Sequence, residues 1–192
     1  VDVICPLNTT WSAFELEPLA VYSEPVIRFV TELSRRLLLL ANNQPDLAAL
    51  GFFLRPAALQ QALAHNAMLS KSSLNAKQLE AINLAVSEAT GCDYCLAAHT
   101  LMAKKAGYSG EQIHALRRGE FTDDARLDAL VKFVQTLVRT RGTLPEADVS
   151  ALRNTGFGDQ QVIEIISAVS AILFTNMVNR VNDTVVDFPK AD

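Results

Sequence analysis

The chain has 192 residues, of which 49% are hydrophobic and 20% charged, a composition that is typical of a soluble globular protein and excludes disorder as the main state. Its net charge is −4 and its pI is near 5.4, and lysine and arginine cluster only as short pairs. Nucleic-acid binding therefore has no electrostatic basis. The length predicts a single domain over residues 1–192.

The three cysteines are too few for a disulfide framework, and two of them, Cys92 and Cys95, form a C-x-x-C pair. This usage is typical of a redox motif in a reducing compartment, which predicts a cytoplasmic protein. The N-terminus lacks a basic segment followed by an apolar one, so we expect no signal peptide. Cys5 is interpreted as a spare thiol without function.

The first third of the chain predicts an arm followed by helices. Residues 1–20 contain prolines, polar residues and aromatics, which indicates an extended N-terminal arm held by its aromatic side chains. Apolar residues then recur every three or four positions over 25–40, and a second helix is predicted over about 56–69. His65 has no partner at useful spacing, so we interpret it as a surface or packing residue.

The next two predicted helices hold the reactive residues. N-cap candidates at 72–75 begin a helical pattern that contains Glu80 and that Gly91 breaks. A further helix is predicted over 92–106, where Gly107 is a natural residue to follow the C-terminus. The turn at Gly91 would let the first helix fold back along the second.

Two thiols and an imidazole would share one face of that second helix. At about 100° per residue, Cys92, Cys95 and His99 fall within roughly 60° of one another. The positive end of a helix favours thiolate over thiol, and Cα atoms at i and i+3 are close enough for a disulfide. His99 can accept a thiol proton, and Glu80, folded back at Gly91, would complete a proton relay.

The spacing E-x11-C-x2-C-x3-H, formed by Glu80, Cys92, Cys95 and His99, resembles the AhpD-like branch of the carboxymuconolactone decarboxylase superfamily. The clear resemblance covers about residues 74–118. It implies an all-α fold, a helical bundle of stacked helical hairpins. In that family the cysteine pair reduces alkyl hydroperoxides or serves as a dithiol relay.

The resemblance also implies roles and partners. By position, Cys95 would be the peroxidatic sulfur, Cys92 its partner, and Glu80 and His99 the proton-transfer groups. The implied partners are a hydroperoxide substrate, a dithiol or thioredoxin-like reductant, and further copies of the chain in a trimer or hexamer. No cofactor and no metal are expected. The founding peroxidases carry a second histidine where this chain has Tyr94. The resemblance therefore implies the family's fold, but it does not imply the efficient peroxidase turnover of those founding members.

The rest of the chain predicts further helical hairpins and no strand. A capping box at 109–112 opens a short helix that ends at Gly119, and an amphipathic helix is predicted over 122–141. Segment 102–113 is echoed by 152–162, since each has a helix end, a glycine, an aromatic residue, a turn and then an aliphatic residue. The echo suggests stacked helix–turn–helix units.

The most apolar run, residues 162–178, is interrupted by polar residues and predicts a buried helix rather than a membrane span. A helix that is apolar on more than one face must be covered on several sides, which neighbouring subunits can do. Asn179 and Arg180, near its end, are interpreted as structural. Glu88 and His114 lack partners at useful spacing and are interpreted as surface residues.

Other chemistries fit the cysteine pair less well. A c-type haem requires histidine where Leu96 stands, and a thioredoxin motif should follow a strand. A zinc site of Cys92, Cys95, His99 and Glu80 has suitable ligand types, but its helical ligands would extend over about 10 Å. The leading prediction is a thiol-dependent peroxidase. The alternatives left open are structural cysteines, a redox-sensing or binding oligomer without catalysis, and a decarboxylase-like enzyme on the same scaffold.

Overall fold

The computed structural model describes residues 56–189 and 191, with side chains from residue 61 onward. Over these residues the protein is all-α, as predicted, with seven helices and no strand. The predicted arm over 1–20, the predicted helix over 25–40 and Cys5 lie outside the described residues. The helices are α1 (Pro56–Leu69), α2 (Ala76–Thr90), α3 (Asp93–Lys105), α4 (Gly110–Arg118), α5 (Ala125–Arg139), α6 (Glu146–Asn154) and α7 (Asp159–Val181).

Side-chain caps fix where several helices begin. Asn75 and Ser109 each accept a hydrogen bond from the backbone amide three residues later, in the capping boxes that open α2 and α4. Two helices begin later than predicted. Asp124 accepts from the first backbone amides of α5, so this helix starts at Ala125 rather than at 122. Cys92 is extended and is the N-cap of α3 rather than its first helical residue.

Helix α2 lies at the centre of the bundle and contacts α3, α4, α5 and α7. Its buried side chains project in several directions, because it is covered on most sides. The largest fully buried side chains belong to α2, to the helices around it and to the turn before α7, and they include Ile82, Leu84, Val86, Ile113, Leu116, Leu130, Val134, Leu152, Phe157 and Ile165. The helix that carries Glu80 is therefore also the helix on which the bundle is built.

The two echoed segments have the same local structure. Gly107 and Gly156 both adopt positive φ, at 91° and 92°, and the aromatic residue after each of them is buried. In the first copy, the Tyr108 hydroxyl donates to the Lys77 carbonyl at 3.0 Å. Burial raises the pKa of Tyr108 well above its usual value, and the carboxylates of Asp124 and Glu80 raise it further. The predicted pair of helix–turn–helix units is confirmed.

Helix α7 is long and apolar, with a mean hydropathy of 1.7 in its most apolar stretch. By length and composition alone it could cross a membrane, although core helices meet the same criterion. One face packs against α1, α2 and α3. The prediction of a buried helix holds for that face only, because Ile163, Ile166, Met177 and Val181 are exposed on the other.

The turn between α2 and α3 requires glycine. Gly91 has φ +65°, and a Cβ there would meet no atom within 4 Å, so any cost of Gly91→Ala lies in the backbone. We expect this change to lower the free energy of unfolding by about 1 kcal/mol in urea titrations.

Gly110→Ala is the matched control, since its site is equally open and lies in the first turn of α4 without a positive φ. This change should leave stability unchanged or slightly raised. Equal effects of the two substitutions would contradict the backbone argument.

Candidate functional site

The site is built on the hairpin formed by α2 and α3. Helix α2 ends at Gly91 in the left-handed conformation, and the backbone amide of Cys92 donates to the Ser87 carbonyl at 3.0 Å. These features reverse the chain, so α3 packs back along α2. Glu80 lies ten residues before the end of α2, or about 15 Å along its axis, and there it meets His99 of α3.

Glu80 and His99 form a hydrogen-bonded pair across the hairpin. His99 Nδ1 lies 2.9 Å from Glu80 Oε2, and the Asn83 amide donates to Glu80 Oε1 at 3.4 Å. The side chains of His99 and Glu80 are 22% and 14% exposed. A carboxylate that accepts from Nδ1–H fixes the ring and leaves Nε2 free to accept a proton. The structure thus brings the two predicted proton-transfer residues together.

Cys92 and Cys95 lie at disulfide distance, with their Cα atoms 5.3 Å apart. Both residues are buried, at 1% and 3% exposure. The backbone amide of Cys95 donates to Cys92 Sγ at 3.3 Å, so the Cys92 sulfur itself caps α3. The favourable field of the helix N-terminus therefore acts most directly on the sulfur of Cys92.

A pocket of about 520 Å³ opens over the hairpin. Glu80, Cys95 and His99 line it, whereas Cys92 does not. The remaining walls come from α1, α2, α3 and α7 and are largely apolar, including Leu69, Leu79, Ala98, Ile172 and Phe174. A small molecule in this pocket would meet the Cys95 sulfur and the histidine–carboxylate pair, and would have no direct path to Cys92.

Three further residues of the pocket were not assigned to the site from the sequence. His65 lines it from α1, and its Nδ1 is buried without a hydrogen-bond partner among the described residues. Tyr94, which lies between the two cysteines in sequence, also lines the pocket. Its ring packs edge-to-face on Phe188, with ring centroids 5.3 Å apart. Asn179 of α7 donates from Nδ2 to Cys95 Sγ at 3.4 Å. His65 and Asn179 lie far from the motif in sequence, so its spacing does not point to them. The one sequence feature that marks either residue is the polar pair Asn179-Arg180 directly after the apolar run 162–178.

Other candidates lie away from the pocket. Glu88 is exposed and forms an ion pair with Arg117 at 2.7 Å, in keeping with its predicted surface position. His114 is half-buried on α4 and is not part of the pocket lining. Within the described part of the chain, no group of three or more histidine, cysteine, aspartate or glutamate residues is arranged to hold a metal ion.

Comparisons with known proteins agree with the fold and with the motif. The sequence model of the carboxymuconolactone decarboxylase family matches residues 56–136, which include the Glu80-to-His99 motif. No curated protein matches the chain.

Several solved structures share the fold. An alkylhydroperoxidase AhpD core protein, described as an uncharacterized peroxidase-related protein from Ralstonia eutropha JMP134, is 20% identical with a TM-score of 0.68, covering 88% of each chain. A peroxidase-related protein from Silicibacter sp. TM1040 is 20% identical with a TM-score of 0.65, covering 85% of this chain and 87% of its own. A cysteine-to-alanine variant of the debrominase Bmp8, in complex with 2,3,4-tribromopyrrole, is 18% identical with a TM-score of 0.66, covering 97% of this chain and 94% of its own.

Proposed function

We propose that the chain belongs to the AhpD-like branch of the carboxymuconolactone decarboxylase superfamily and that it is a thiol-dependent peroxidase that reduces alkyl hydroperoxides. One observation carries the proposal. Cys95 lines one pocket together with the hydrogen-bonded Glu80–His99 pair, and Cys92 lies at disulfide distance from Cys95. A nucleophile, a base with its orienting carboxylate and a resolving thiol are the groups that such a reaction needs.

The first step takes place at Cys95. His99 accepts the thiol proton, and the thiolate attacks the terminal oxygen of the hydroperoxide. The O–O bond breaks, Cys95 becomes a sulfenic acid, and the leaving alkoxide takes the proton from His99 and departs as an alcohol. The hydrogen bond from His99 to Glu80 stabilises the imidazolium between these two transfers.

The second step closes the cysteine pair. The Cys92 thiolate attacks the sulfenic sulfur, a disulfide forms, and the released hydroxide becomes water with a proton from the site. The amide that donates to Cys92 Sγ supports this role, since it favours the thiolate as attacking group and later as leaving group. A small dithiol or a thioredoxin-like protein then reduces the disulfide and is itself oxidised.

We further propose that the protein acts as a homo-oligomer in the cytoplasm. The exposed apolar face of α7, with Ile163, Ile166, Met177 and Val181, would be covered by another copy of the chain. In a trimer or hexamer, as the resemblance to the family implies, this apolar face would be buried between subunits. A reducing cytoplasm would keep the cysteine pair in the dithiol form between turnovers.

The two cysteines should fail in different ways. With dithiothreitol as reductant and cumene hydroperoxide as substrate, Cys95→Ser should abolish peroxide consumption, because the serine hydroxyl is not ionised near neutral pH. Cys92→Ser should consume one equivalent and then stop or turn over slowly, because no resolving thiol remains. Cys5→Ser is the matched control and should behave as the parent. Normal multiple turnover by either motif variant would refute the scheme.

Proton transfer should depend on His99 and on its carboxylate. His99→Leu should slow sulfenic acid formation at neutral pH by about 100-fold, in line with the loss of a general base. Glu80→Gln should slow it less, since the imidazole remains but loses its charged partner. Stopped-flow measurement of peroxide consumption provides the rates. His114→Leu, outside the pocket, is the control, and a His99→Leu rate equal to that of the control would contradict the assignment.

A second candidate is reductive dehalogenation of an aromatic ring. It is favoured by the apolar pocket, which includes the rings of Tyr94 and Phe174, and by the shared fold of the debrominase. The dithiol would supply two electrons, replacing carbon–halogen by carbon–hydrogen and releasing halide, a proton and the disulfide. Bromide release from 2,3,4-tribromopyrrole in the presence of dithiothreitol, dependent on Cys95, would favour this chemistry. Peroxide consumption without bromide release would favour the peroxidase.

A further inference from the structure

The two sulfurs of the pair receive hydrogen bonds from different parts of the chain. Cys92 Sγ accepts from the backbone amide of Cys95, at the start of α3. Cys95 Sγ accepts at 3.4 Å from the side-chain amide of Asn179, which lies 84 residues later on α7. Cys92, which does not line the pocket, thus receives its hydrogen bond from the N-terminus of α3. Cys95, which lines the pocket, receives its hydrogen bond from a side chain on α7.

The position of Asn179 is fixed by its neighbours on the same helical face. Asn176, one turn earlier and 1% exposed, donates to Thr90 Oγ1 at 2.8 Å. Arg180 donates from Nη1 to the Thr90 carbonyl, at the last residue of α2. The buried Ser87 hydroxyl also donates to Asn176. These contacts hold the end of α7 against the turn just before the cysteines, and so place Asn179 where its amide reaches the Cys95 sulfur.

We propose that Asn179 is a thiolate-stabilising residue for Cys95. A neutral amide donor bonds more strongly to an anionic sulfur than to a thiol or a disulfide sulfur, because hydrogen bonds to charged acceptors are the stronger kind. Asn179 therefore favours the state in which Cys95 is a nucleophile. The inference rests on the proposed function only in taking Cys95 as the attacking sulfur, and it adds a residue outside the span matched by the family model.

Other charged and titratable groups also act on this sulfur. Glu80 disfavours a nearby thiolate by like charge, and His99, bonded to Glu80, offsets that effect when protonated. All of these groups remain in place when Asn179 alone is changed. A difference in the pKa of Cys95 between the parent and an Asn179 variant therefore measures the effect of the Asn179 amide. Among the residues that the structure describes, these groups line the pocket or lie near the pair, and they are His65 on α1, Glu80 on α2, Asp93, Tyr94 and His99 on α3, and Arg180 on α7.

The test measures the pH dependence of Cys95 alkylation. In a Cys5→Ser, Cys92→Ser background Cys95 is the one thiol left, and its reaction with iodoacetamide follows the thiolate fraction. Asn179→Leu should raise the midpoint of this profile by about one pH unit, the shift expected for loss of one hydrogen bond to a charged group. Asn179→Asp, which has the same shape, should raise it further, because a carboxylate would stand where the donor was.

Asn66→Leu is the matched control, since Asn66 lines the same pocket from α1, and the side-chain hydrogen bond to Cys95 Sγ found among the described residues comes from Asn179. Its midpoint should equal that of the parent. If the leucine variant does not fold, as judged by circular dichroism, the aspartate variant carries the test. Unshifted midpoints in the folded Asn179 variants would overturn the inference. A shifted midpoint in a protein that consumes no peroxide would uphold it while contradicting the proposed function.

Discussion

The reversal of the chain at Gly91 is the constraint on which the site depends. Its left-handed conformation ends α2, lets Cys92 cap the N-terminus of α3, and reverses the chain so that α3 packs back along α2. That packing alone brings Glu80 within 2.9 Å of His99, although nineteen positions separate them in sequence. A hairpin with another crossing would leave the thiols at its tip without an acid–base pair beside them.

The motif could be located from the sequence because its determinants are local. A glycine between two helical patterns, cap residues at fixed offsets and a spacing of whole helical turns between Cys95 and His99 each depend on neighbouring residues. The same locality explains the N-cap of α2, which was predicted within residues 72–75, and the capping box of α4, and the structure confirms both. Cys92 was placed one position too far inside α3, since an N-cap and a first helical residue look alike when the capping atom is sulfur.

The remainder of the site depends on tertiary packing, which no local pattern reveals. His65 reaches the pocket because α1 packs on α7, and Asn179 reaches Cys95 because α7 lies along α2 and α3. Neither residue has a partner at helical spacing within its own segment. The exposed face of α7 is a similar case, because burial of an apolar helix depends on how many neighbours the fold supplies.

The central claim is that Cys92 and Cys95 form a reversible redox pair driven by hydroperoxide. Both cysteines fall in one tryptic peptide, residues 78–104, whose mass reports their state directly. After reduction, removal of the reductant and addition of one equivalent of cumene hydroperoxide, that peptide should lose two hydrogens and regain them with dithiothreitol. An unchanged mass, or a disulfide that joins either residue to Cys5 instead, would contradict the account.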